Sequence, residues 1–118
     1  MMKARVLYID DEVDLLELAA SFFEEENLPI ETCSDFNQAL NLIRNNHFDV
    51  IISDAKMPTG SGHELFALIK KENLFHGKSI LVTGHLEESE QEVNYDLIIY
   101  KPIQFQDLID TVKRMLEI

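Results

Sequence analysis

The chain is short of cysteine, of basic residues and of long apolar runs, and each shortage closes off a class of function. Its 118 residues include one cysteine, Cys33, so no internal disulfide can form. A reducing, cytoplasmic setting is expected, with Cys33 buried as a small hydrophobe in the apolar Pro29–Cys33 segment. Lys and Arg number 10 against 22 Asp and Glu, a formal charge of −12, which disfavours direct contact with a nucleic-acid backbone. No apolar run reaches membrane-spanning length and no signal segment opens the chain, so neither insertion nor export is expected. Low-complexity tracts, internal repeats and a Gly-rich phosphate loop after the first apolar run are also missing, which argues against a solenoid and against a flavodoxin or a P-loop nucleotide enzyme.

What is present is one domain's worth of ordinary globular sequence, 46% hydrophobic and 27% charged, with residues 1–118 taken as a single unit. Four short apolar runs each stop at a residue able to handle a phosphoryl group. Val6 to Ile9 stops at Asp10 and Asp11, Val50 to Ser53 at Asp54, Ile80 to Val82 at Thr83, and Leu97 to Tyr100 at Lys101. Ile30 to Cys33 is a further short strand. Helical periodicity lies between the runs: Leu15, Leu16, Ala19, Phe22 and Phe23; then Phe36, Ala39, Leu40 and Ile43 after a cap at Ser34 or Asp35; then Leu65, Leu68 and Ile69 after the capping pattern Ser61 and Glu64; and last Phe105 to Leu116. The alternation predicts an α/β fold, a parallel sheet with helices on both faces. Parallel strands bring their carboxyl ends to one edge, where such sheets place ligands.

At that edge, Asp10, Asp11 and Asp54 are oxygen ligands suited to Mg²⁺ or Mn²⁺. Crowded carboxylates repel, so without a cation at least one titrates above its usual range. Glu12 either joins the metal shell or opens the first helix, where the macrodipole favours an acid. Asp54, followed by a loop with Met57, Pro58 and Gly62, is the candidate nucleophile. A carboxylate attacking phosphorus yields an acyl phosphate. Thr83 can donate a hydroxyl hydrogen bond to a phosphoryl oxygen, and Lys101 can supply a positive point charge. His47, His63 and His76 lack metal-ligand spacing and receive no function.

These pieces, Val6-Leu7-Tyr8-Ile9-Asp10-Asp11-Glu12, Asp54-Ala55-Lys56-Met57-Pro58 with Gly62, Leu81-Val82-Thr83-Gly84 and Lys101-Pro102, resemble the receiver domain of two-component response regulators, chemotaxis regulators included. The resemblance runs from Lys3 to the end. It implies a flavodoxin-like, doubly wound, five-stranded parallel sheet of order 2-1-3-4-5. It also implies Asp54 as the phosphorylated residue, Asp10, Asp11, Asp54 and the backbone carbonyl of Lys56 as metal ligands, Thr83 as the switch hydroxyl, Lys101 as the phosphoryl contact, and a cis Lys101–Pro102 peptide. The phosphoryl donor would be a sensor histidine kinase or a histidine phosphotransfer protein, and the output a downstream effector protein or domain. Such a chain is not an enzyme in the usual sense; it catalyses only its own phosphorylation and dephosphorylation. Nothing after Ile118 resembles an effector, so either a stand-alone receiver or one cut from a larger protein is expected.

The chain departs from the family pattern in two places. Ile98 stands where receivers carry an aromatic three residues before the lysine, and Tyr100, on the same side of the strand, either substitutes for it or only packs. The interval from Thr83 to Lys101 is short and, through its run of Glu and Gln, almost without an apolar stripe, so a short, marginal or partly disordered fourth helix and an altered output face are expected. Lys56 and His85 occupy positions that in receivers modulate attack of water on the phosphoryl group; shielding by Lys56 and simple exposure are both open. Two other readings are a degenerate receiver that serves as a phosphorylation-independent interaction module, and an aspartate-nucleophile phosphohydrolase. The second places an acid two residues after its nucleophile, where this chain has Lys56.

Overall fold

The computed structural model of the chain describes residues 5–84 and 93–118. Five strands, β1 (Val6–Ile9), β2 (Ile30–Cys33), β3 (Val50–Asp54), β4 (Lys78–Thr83) and β5 (Leu97–Tyr100), form one parallel sheet of order β2-β1-β3-β4-β5. The helices are α1 (Val13–Glu25), α2 (Phe36–Asn45), α3 (Gly62–Lys71) and α4 (Phe105–Leu116). The fold class and strand order are those expected. The marginal helix expected after Thr83 falls largely on residues 85–92, outside the described residues, as does His85.

The sheet is covered on both faces, so its inner strands read as unbroken apolar runs: every residue of β1 and β3 is buried. Side chains alternate between two cores. Leu7, Ile9, Ile51 and Leu81 pack with Ala39, Leu40, Ile43, Leu65, Phe66 and Ile69 of α2 and α3. Val6, Tyr8, Val50, Ile52, Ile80 and Val82 pack with Leu16, Ala19, Phe23, Leu108, Ile109 and Val112 of α1 and α4. Burying each large side chain is worth about 1.5–3 kcal/mol, and together they fix the register that aligns the strand ends.

Local chemistry sets the helix ends. Asp35, rather than Ser34, caps α2 by accepting from the Gln38 N–H at 2.9 Å, and Ser61 caps α3 by accepting from the Glu64 N–H at 3.0 Å. Helices α1 and α3 end alike: Asn27 and Asn73 turn left-handed at φ 57°, and the next residue, Leu28 or Leu74, donates its N–H back to Phe23 or Ile69. Phe22 departs from the buried face predicted for the first helix. It is exposed and stacks on Phe105 of α4 with ring centroids 5.4 Å apart. Phe66, by contrast, is an unanticipated core residue.

Candidate functional site

The strand ends do converge. The β1–β3 register pairs Ile9 with Ser53, so Asp10 and Asp54 leave neighbouring strands side by side. Asp10 is fully buried, tied by its N–H to the Cys33 carbonyl at 3.0 Å, and its Oδ1 accepts from the Glu12 N–H at 2.9 Å. Asp54 is 6% exposed, and Asp11 lies on the surface. Ligand oxygens of Asp10, Asp11 and Asp54 all lie within 4.8 Å of one another.

Lys101 enters from the end of β5, its N–H donating to the Thr83 carbonyl at 2.8 Å. Its Nζ lies 3.4 Å from Asp54 Oδ2, 3.6 Å from Asp10 Oδ2 and 3.8 Å from Glu12 Oε1. One cation is therefore shared among three carboxylates. The following Lys101–Pro102 peptide is cis, as the resemblance implied. Thr83 closes β4, buried, one register position beyond the Asp54–Val82 pair.

Burial pushes the carboxyls of Asp10 and Asp54 above their usual range, and the Lys101 charge only partly offsets it. At Asp54, hydrogen bonding by the Lys56 backbone also favours the ionised form. Burial works against the charge of Lys101 as well, but Asp10 and Asp54 outweigh it and hold the ammonium above its usual pKa. A pocket that penalises its own negative charge, with a fully buried Asp10 Oδ2 that has no hydrogen-bond partner, suits a hard divalent cation that would remove the penalty.

The loop after Asp54 folds back on itself. Gly60 donates to the Met57 carbonyl, and Gly62 donates to the Ala55 carbonyl at 3.0 Å. A Cβ at Gly62 would stand 2.6 Å from the Asp54 carbonyl oxygen and 2.8 Å from Leu81, so this turn admits only glycine without displacement. Lys56 projects from the loop into solvent. Ile98 is half-buried against the α2–α3 core, while Tyr100, opposite Thr83 in the register, is 45% exposed. Glu12 stands at the N-cap of α1, makes no side-chain cap bond and turns toward Lys101; of the two places the sequence left open it takes the helix start, and the carboxylate group of Asp10, Asp11 and Asp54 does not include it.

Two residues near the site escaped the sequence reading. Tyr8 lies on the same face of β1 as Asp10, fully buried, and burial together with the charges of Asp10, Asp54 and Glu12 raises its phenol well above the usual range. Strand alternation two residues before Asp10 was the available signal. Leu18 lines a groove of about 650 Å³ with Glu12, Leu15, Lys101, Ile103 and Phe105, running from the acidic site along α1. Its exposure is set by packing, which periodicity alone does not give.

Comparison with known proteins agrees with this arrangement. Residues 6–113 match the response regulator receiver domain. A CheY-like receiver domain protein from Methanospirillum hungatei is 27% identical, with a TM-score of 0.88 over 98% of this chain and 95% of that one. The receiver domain of Francisella response regulator 1452 is also 27% identical, with a TM-score of 0.87 and 98% of both chains covered. Among curated relatives, the phosphate regulon transcriptional regulatory protein PhoB of Klebsiella pneumoniae is 25% identical over 98% of this chain and 52% of its own length. The regulatory protein VanRB of Enterococcus faecalis is 24% identical over 98% and 53%. The chain thus spans about half the length of these relatives.

Proposed function

The chain belongs to the response regulator receiver domain family, and from that premise we propose that Asp54 accepts a phosphoryl group from a phosphohistidine donor and that the resulting change of state is read by a partner or attached effector. The observation that carries the proposal is the convergence of Asp10, Asp11, Asp54 and Lys101 at one sheet edge. A receiver is not a classical enzyme: the group it modifies is its own. An oxygen of Asp54 forms the new bond to phosphorus as the phosphorus–nitrogen bond of phosphohistidine breaks, and the imidazole departs with that electron pair. Asp10, Asp11, Asp54 and the Lys56 carbonyl would hold Mg²⁺ or Mn²⁺, whose chemistry when bound is to offset charge on the transferring oxygens. Lys101 carries positive charge to the phosphoryl group, and Thr83 offers its hydroxyl from the neighbouring strand end.

Receiver domains pair with histidine kinases. In this chain the groove between α1 and the Ile103–Phe105 segment offers the donor a seat, because Glu12 and Lys101 line both the groove and the acidic site. Leu18 at 52% and Phe22 at 36% exposure give the adjoining helix face apolar anchors, so the fitting occupant is a helix that bears the phosphohistidine. No helix among the described residues is long and apolar enough to cross a membrane. Action in the cytoplasm is part of the proposal, supported by the single buried thiol of Cys33.

Intact mass after incubation with Mg²⁺ and acetyl phosphate or a phosphohistidine donor tests the proposal. A phosphate-sized gain that disappears in Asp54→Asn is the expected result. Ile98 at the aromatic position favours the second reading, a phosphorylation-independent interaction module. The absence of any gain with every donor would select it.

A further inference from the structure

Among the described residues, two buried side-chain polar atoms have no hydrogen-bond partner, and both belong to β1 or its immediate end: the hydroxyl of Tyr8 and Oδ2 of Asp10. One is a donor and the other an acceptor. Both residues are 0% exposed, and Ile9 between them packs into the opposite core, so Tyr8 and Asp10 share one face of the sheet. Ile52 lies opposite Tyr8 on β3, and Asp54, two residues further along, is on the same face. The phenol therefore shares the sheet face of the acidic site, two residues before Asp10 along β1. An unpaired hydroxyl in an apolar core costs about 1–3 kcal/mol, a cost that phenylalanine would not incur in the same space.

Oδ1 of Asp10 already accepts from Glu12, while Oδ2 has only the distant share of Lys101 at 3.6 Å. A carboxylate oxygen can serve a cation and a hydrogen-bond donor together, and partners of this kind fix the orientation of ligating groups. We propose that Tyr8 is a positioning residue for the metal centre, its hydroxyl donating to Asp10 Oδ2, directly or through one buried water, when the cation is bound. The assignment rests on the reading of Asp10 as a metal ligand. It explains why a polar ring occupies a sheet face whose other strand residues in that core, Val6, Val50, Ile52, Ile80 and Val82, are all aliphatic.

Calorimetric titration of MgCl₂ into the phosphate-free protein, wild type beside Tyr8→Phe, tests it, together with thermal unfolding in chelator. The expected result is a Kd raised about tenfold or more in Tyr8→Phe, with a metal-free midpoint unchanged or higher, because the variant removes an unpaired hydroxyl. Equal affinity of Tyr8→Phe and wild type, whatever the midpoint, overturns the positioning role and leaves Tyr8 a packing residue. Failure of the wild type itself to bind Mg²⁺ overturns the metal-site reading as well.

Discussion

Lys101 Nζ and Asp54 Oδ2 stand 3.4 Å apart at the ends of two strands that are not neighbours, β5 and β3, with β4 between them. The lysine spans that gap and meets Asp10 Oδ2 at 3.6 Å on the far side. In the free protein it is the counter-ion of the site; under the proposed function the same ammonium would face the charge of a phosphoryl group on Asp54. Lys101→Met should therefore reduce phosphoryl uptake by intact mass. It should also lower stability in chelator by about 1–3 kcal/mol, since removing one partner leaves buried carboxylate oxygens unsatisfied.

Burial holds Asp10 and Asp54 above the usual carboxyl range, so ionising them costs more in the folded chain than in the unfolded one. The stability these two groups contribute is complete below their unfolded pKa values and is lost as pH rises through the folded ones. Asp54→Asn should raise the unfolding midpoint in chelator near neutral pH and flatten its rise on acidification. Scans of both proteins from about pH 7 to about pH 5 check this, and identical slopes would contradict it.

Mg²⁺ should reverse that trend. Its ligands must be deprotonated, so the metal-induced rise in midpoint should be largest near neutral pH and shrink on acidification. At about 100 times the Kd the rise corresponds to about 2.7 kcal/mol. The same titration on Asp10→Asn should show little rise at any pH.

The groove along α1 separates two kinds of donor. Leu18→Asp places a charge in its apolar wall, outside the cluster of Asp10, Asp11 and Asp54. Transfer from a phosphohistidine protein should slow by about tenfold or more, while uptake from acetyl phosphate stays unchanged. Equal slowing with both donors would show that the groove is not a docking seat.

The turn after Asp54 is a packing constraint with a measurable cost. Gly62→Ala would drive a methyl against the Asp54 carbonyl and Leu81, so it should destabilise the domain by about 1–3 kcal/mol despite alanine's better helix propensity. Thr59→Val tests the other side of the loop, where the Thr59 hydroxyl accepts the Phe36 N–H at 3.0 Å. Its loss should cost about 1 kcal/mol and speed amide exchange at the start of α2.

Much of this was written in local sequence. Apolar runs bounded by turns gave the five strands, periodicity gave the helices, and Asp35, Ser61 and the two Asn-Leu pairs set helix ends, because propensity and capping act over a few residues. The location of the candidate site was legible for the same reason: parallel strands must deliver their carboxyl ends to one edge, so Asp10, Asp11, Asp54, Thr83 and Lys101 could be placed together before any contact was known. What folding alone decided are quantities that depend on partners distant in sequence. The packed sheet set how deeply Asp10 and Asp54 are buried, and so the direction of their pKa shifts. It put one ammonium among three carboxylates, turned Phe22 outward onto Phe105, and left the Tyr8 hydroxyl without a hydrogen-bond partner on the sheet face that Asp10 shares. Residue type fixed which chemistry was available, whereas desolvation and distance, which exist only in the packed chain, decided how each group stands ready to use it.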